Sequence, residues 1–344
     1  MRANTMLYWY ELKKLLLTPA IIGFLALCLL LNIIIIAAYD NMEYDSGADA
    51  FNIFEGLDAS AIAEGRIAIY GVTGQYADNI REKYAKLQPV IDEKAANGDA
   101  LSDYLRDRTH YLHGLLFGTI FFAGIAESCL LALFLALVSV TYENTRNTEN
   151  VICASKVGRR VVRSKLAASL VSSVICAAIL LIVTLTAFFI KFDFSGVWGD
   201  NVSSSFNMAV NAFGKPFITW ESFTVAGYFR AVIGGTLALA VCFSLLGYAV
   251  GVFAKNAYGA FIGTAVVLAL MLLAKPMFPI GSVIRSAFNL TPPHLWLNSP
   301  DWFTDGAADI LWANFETIGL AVSLVILVAA SAVSTKIFTK RELL

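Results

Sequence analysis

Long unbroken runs of apolar residues, separated by polar loops of very unequal length, dominate the pattern of this chain. Six runs, at 20–39, 115–140, 167–190, 231–253, 257–274 and 312–335, can each cross roughly 30 Å of hydrocarbon as a helix rising about 1.5 Å per residue. A backbone exposed to lipid has no water to satisfy its amides, so a spanning segment must close its own hydrogen bonds. The runs are continuous rather than alternating, which argues against barrel strands. The expected fold is therefore an all-α integral membrane protein, a single transmembrane domain over 1–344 with six transmembrane helices. The first run lacks a small-residue cleavage site and reads as a retained helix rather than a signal peptide.

The loops predict further helices. Before the first span, Tyr8, Leu12, Leu15 and Leu16 line one helical face, Glu11, Lys13 and Lys14 supply charge, and Thr18-Pro19 punctuates the chain. Residues 1–19 thus read as an interfacial elbow helix, with Lys13 and Lys14 at the lipid headgroups, or as the basic flank of a span. Residues 40–111 form a long insertion in which Ile80, Tyr84, Leu87 and Ile91 recur at helical spacing, interrupted by Pro89, as expected of a small helical cap. Residues 275–311 carry five prolines among apolar residues and read as a broken segment at membrane depth, tolerated where protein or water covers it.

Composition strengthens the membrane reading. Of 344 residues 58% are apolar and 15% charged, and mean hydropathy is +0.68, whereas soluble domains carry about 25% charge. With the N-terminus inside, the inner segments hold 13 Lys and Arg and four acids, while 20 of the 26 acids fall outside. The positive-inside rule then places both termini in the cytoplasm of a multi-pass cell-membrane protein. The insertion has 14 acids against seven basic residues, which suits a solvated loop and equally the capture of a cationic substrate. No basic run suits nucleic acid. Cys28, Cys129, Cys153, Cys176 and Cys242 show no disulfide framework and read as apolar filler.

Catalytic patterns are missing from the sequence. It contains no G-x-x-x-x-G-K-[ST] phosphate loop, no H-E-x-x-H and no G-x-S-x-G, so no enzymatic activity, cofactor or metal is expected in the chain itself. His110 and His113 stand at metal-compatible i, i+3 spacing but lack a third ligand. Two acids fall inside spans. Glu127, near the middle of the second span, is either a structural hydrogen-bonding group or part of a translocation or protonation path. Glu316, about one turn from the interfacial Trp312, reads as structural.

The loop after the second span carries a family resemblance. It runs from Glu143 and Asn144-Thr145-Arg146 through the short apolar stretch Val151-Ile152 to Gly158-Arg159-Arg160, and Lys165 opens the third span. This resembles the first cytoplasmic loop of type-2 ATP-binding-cassette (ABC) exporter permeases, with Asn144 where a Gly often precedes the Thr. The likeness extends over the whole chain in layout: elbow, six spans, an insertion after the first, a minimal turn at Lys255-Asn256, and a broken outer segment. It implies that loop 143–165 holds a coupling helix that docks on a separate ABC ATPase subunit, through Glu143, Thr145, Arg146, Arg159 and Arg160. It also implies a second permease copy or a related permease, with ATP and Mg bound in the partner ATPase. The substrate, whether peptide, antibiotic, lipid or ion, is not encoded in a readable motif. A membrane sensor or assembly scaffold using the acidic cap, and an ion-coupled secondary transporter using Glu127, are the rival readings.

Overall fold

The computed structural model describes residues 2–39, 54–99, 112–146, 148, 158, 161–194, 196–203, 217–254 and 256–340. Among these the architecture is all-helical, and pairing between extended segments is confined to isolated bridges at Asn201–Thr224 and Thr219–Thr304. In chain order the helices are α1 (Arg2–Leu16), α2 (Pro19–Ala38), α3 (Ala59–Tyr70), α4 (Gln75–Asn97), α5 (Phe121–Thr145), α6 (Val161–Lys191), α7 (Val225–Gly251), α8 (Ala257–Ala274), α9 (Val283–Phe288), α10 (Pro292–Leu297) and α11 (Phe315–Lys340). Six helices, α2, α5 with the π-helical turn Gly114–Ile120 ahead of it, α6, α7, α8 and α11, are long and apolar enough to span a bilayer. The chain is thus a multi-pass membrane protein by fold.

The spans run past the limits that hydropathy predicts. α6 begins at Val161 and α7 at Val225, while α11 continues to Lys340, because backbone hydrogen bonding carries a helix through the polar interface that the apolar run does not reach. The expected start of the last span at 312 moves to Phe315, since Asn314 takes a left-handed backbone (φ 50°) and blocks an earlier start. The expected interruption at Pro89 does not occur: α4 is continuous from Gln75 to Asn97. Proline removes the bond to the carbonyl four residues back. Here that carbonyl belongs to Ala85, which like Pro89 is exposed, so it faces the surface of the hairpin rather than its core.

α5 and α7 form the centre of the bundle, and small residues bring them together. A methyl group added at Gly247 would lie 2.9 Å from the Leu133 side chain, and one at Gly251 2.6 Å from Val140. This i, i+4 glycine pair lets two backbones approach closely, the usual way to gain packing energy where lipid offers no hydrophobic drive. Hydroxyls join the neighbouring α11: Ser331 donates to Leu245 O (3.3 Å), Ser334 donates to Ala249 O (3.2 Å), and Tyr248 and Thr335 share a bond of 2.7 Å. At the other extreme α8 exposes Ile262, Val266, Leu270 and Leu273 along one stripe.

On the side of the bundle opposite the termini, α3 and α4 form a hairpin whose core is Phe54, Ala63, Ile67, Ile80, Tyr84, Leu87, Ile91 and Ile218. The hydrophobic spacing read from Ile80 to Ile91 is the buried face of α4. Asp58 caps α3 by accepting from Ser60 N at 2.8 Å. The hairpin rests on the segment between α8 and α11, where Trp302 is fully buried and donates to Leu295 O at 3.0 Å. Gly235 of α7 makes room for that indole, since a Cβ there would meet it at 2.5 Å.

Candidate functional site

Among the described residues three polar sites interrupt the apolar packing, one at the end of the bundle that holds α1, one midway along the spans and one at the opposite end. The first lies where α1, the end of α5 and the start of α6 meet. Glu143 is 6% exposed. One carboxylate oxygen binds Lys14 Nζ at 2.9 Å and the other binds Lys165 Nζ. Lys14 also pairs with Glu11, its neighbour one turn back, which is buried as well. Two acids and two ammonium groups thus form a neutral buried network, the arrangement in which mutual attraction can offset the loss of hydration. The Tyr142 ring lies under Lys14 (4.5 Å to the ring centre) and Arg146 (5.5 Å).

The sequence-predicted residues divide at this site. Glu143 sits inside the network. Thr145 turns its hydroxyl back to Thr141 O at 3.0 Å, and Arg146 covers Tyr142. Arg159 and Arg160 lie outside the described residues. Lys13 is exposed, whereas Lys14 faces inward to Glu143. A small cleft adjoins the network, walled by Val140, Thr141, Val162, Lys165, Val252 and Phe338. Sequence reading takes Glu11 as one of the charges of the elbow helix and Lys165 as the residue that opens the third span, and pairs neither with Glu143. A buried charge has to find a counter-charge, but nothing in a linear pattern says which one, and Glu143 and Lys14 are 129 residues apart.

The second site lies partway along the spans, where α2, α5 and α6 meet. Asn32 of α2, fully buried, donates from Nδ2 to Glu127 Oε2 (2.7 Å) and to Thr184 Oγ1 (3.1 Å), so three spans contribute one polar group each. Among the described residues Asn32 Oδ1 is buried without a hydrogen-bond partner. At the end of the same helix, Lys191 donates to Ile36 O (2.8 Å), Ala37 O (3.0 Å) and Tyr39 O, satisfying the last carbonyls of α2 from another span.

The third site is the segment between α8 and α11. Asp309 binds Lys275 (2.9 Å) and Arg285 (3.0 Å). Burial works against its charge, yet these two cations hold its carboxyl below the usual range. Lys275 also donates to Asn289 Oδ1 at 2.7 Å. His294, beside Thr291 at 3.0 Å, is pulled down to about 4 by burial and by the nearby Lys275. Glu316 is fully buried and accepts from the backbone of Phe303 (3.2 Å), which adopts φ 63°, and from the Thr317 hydroxyl (3.0 Å). The hairpin is fastened here: Tyr84 donates to Asp305 (3.0 Å), Lys83 to Ala307 O (3.1 Å), and Asn79 to Gly281 O (2.8 Å). Lys94, lowered by burial, donates to Thr219 at 3.1 Å and lies 3.5 Å from Asp99.

His113 is buried against Phe194 and Phe117 at ring separations of 5.0 and 6.0 Å, and His110 lies outside the described residues. Among the described residues no three His, Cys, Asp or Glu side chains gather where they would hold a metal. Comparison with known protein families, with characterised proteins and with solved structures finds no match to this chain.

Proposed function

We propose that this chain is the membrane-spanning permease subunit of an ATP-driven ABC exporter. It works in the cell membrane with both termini cytoplasmic, α1 as the interfacial elbow, and a separate ATPase. The observation that supports this most is the Glu143 network. It ties the two stems of the 143–165 loop to each other through Lys165, and both to α1 through Lys14. A force applied to the loop then reaches α5, α6 and α1 as one unit, as a coupling element requires. In this reading closure of two ATP-bound partners pushes the loop and rocks the spans of two permease copies about a central path.

The test is capture of the chain from its native membrane in mild detergent. Recovery of a stoichiometric subunit bearing a phosphate-binding lysine loop, lost when Arg159 and Arg160 are both changed to Glu, supports the exporter. Recovery without any ATPase overturns it.

The Asn32–Glu127–Thr184 cluster favours a second reading, an ion-coupled transporter. In that case transport by purified protein in vesicles follows an imposed proton or cation gradient without ATP, and Glu127→Gln abolishes it.

A further inference from the structure

The insertion between α2 and α5 is rich in charge, yet residues 67–77, the end of α3 and the turn into α4, carry none. This stretch holds Ile69, Tyr70, Val72 and Tyr76, and Ile69 is 79% exposed. A soluble hairpin would put polar residues at so open a tip.

The position of the tip follows from its neighbours. α8 together with the turn Lys275–Met277 spans 21 residues, about 31 Å at 1.5 Å per residue, close to the thickness of the hydrocarbon core. The chain leaving Met277 therefore enters the headgroup layer on the side opposite the termini. Four residues on is Gly281, whose carbonyl accepts from Asn79 at 2.8 Å. Its φ of +82° and the Tyr76 carbonyl beside it leave no space for a side chain. The tip is thus fixed at headgroup level next to α8, the span that is least covered by protein.

Next to this contact, α9 exposes Val283 and Ile284, the latter by 55%. Lys275 and Arg285 both bind the carboxylate of Asp309, the one acid paired with them among the described residues, which leaves one positive charge in excess there. Exposed aliphatic and tyrosine side chains beside partly exposed cations match the chemistry of the bilayer interface, where tyrosine rings gather and basic residues meet phosphate. The exposed stripe of α8 from Ile262 to Leu273 is followed by the exposed Met277, four residues before Gly281.

We propose that the α3–α4 tip and α9 form one lipid-binding surface that lies in the headgroup layer opposite the termini and contacts phospholipid. The insertion is then an interfacial wedge, supported by the membrane as well as by the bundle, whether or not an ATPase drives the protein.

The test uses the full chain in its native membrane, with p-benzoylphenylalanine placed singly at Ile69 or at Ile284, irradiation, and mass spectrometry of the adducts. Leu270, on the exposed stripe of α8, serves as the lipid-facing control, and Glu93, exposed on α4, as the water-facing one. Phospholipid adducts at Ile69 and Ile284, at yields near that of Leu270 and well above that of Glu93, are expected. Adducts to a second copy or to another protein, or yields no higher than at Glu93, overturn the proposal. The two positions lie on separate elements, so a folding failure at one leaves the other to decide.

Discussion

Glu143 shows how much depends on a single side chain inside an apolar bundle. Its carboxylate meets two ammonium groups contributed by two different helices. Removing its charge while keeping its shape, Glu143→Gln, takes the acid that binds Lys165 and leaves two buried ammonium groups to Glu11, a class of change that costs about 3–5 kcal/mol. Adding Lys165→Met should recover a large part of that loss. Thermal unfolding in nanodiscs should therefore rank the double variant above Glu143→Gln alone, and the reverse order would show that the pair is not coupled. His294 gives a pH signature. Its proton affinity is lowered to about 4 from an ordinary 6.5, with Lys275, Arg285 and Asp309 around it. The neutral ring is the one that the fold accommodates, so its contribution is fully present above pH 6.5 and is lost as pH falls toward 4. A melting curve measured across that window should decline with acidification, and His294→Gln should flatten the decline.

At the scale of elements, the α5–α7 contact is the one most exposed to disruption. Gly247→Val or Gly251→Val drives branched carbon into Leu133 or Val140, with an expected cost of about 1–3 kcal/mol or more. Gly23→Ala, where an added methyl group meets nothing within 4 Å, should be neutral or slightly stabilising. Chemical denaturation of the three variants compares them directly. The spans themselves were legible because hydropathy is a local property, and the buried face of α4 was legible because Ile80, Tyr84, Leu87 and Ile91 repeat at the helical period. Pro89 was misleading: α4 runs on through it, with Pro89 and the Ala85 carbonyl it orphans both on the exposed face. The candidate site was legible in part. Glu143 and Glu127 stood out as acids near or within membrane, but their partners Lys14, Lys165, Asn32 and Thr184 are tertiary choices with no sequence spacing to announce them.

Over the whole molecule, polar side chains act as fasteners between pieces distant in sequence. Gly281 connects the hairpin to the segment after α8. Gly281→Ala should free the hairpin, because it strains a left-handed backbone and collides with the Tyr76 carbonyl. Limited proteolysis should then cut the exposed turn at 71–74 faster than in the parent protein, and an unchanged rate would show that the hairpin is held elsewhere. Lys191 is a fastener of the same kind, and it carries a consequence in time. The last carbonyls of α2 accept from an ammonium encoded 155 residues further along the chain, and Asn32 waits 152 residues for Thr184. At a synthesis rate of roughly 5–20 residues per second, the first span leaves the ribosome roughly 8–30 s before the groups that complete it. During biogenesis α2 must therefore be sheltered, by the insertion machinery or by headgroups, until the third span arrives.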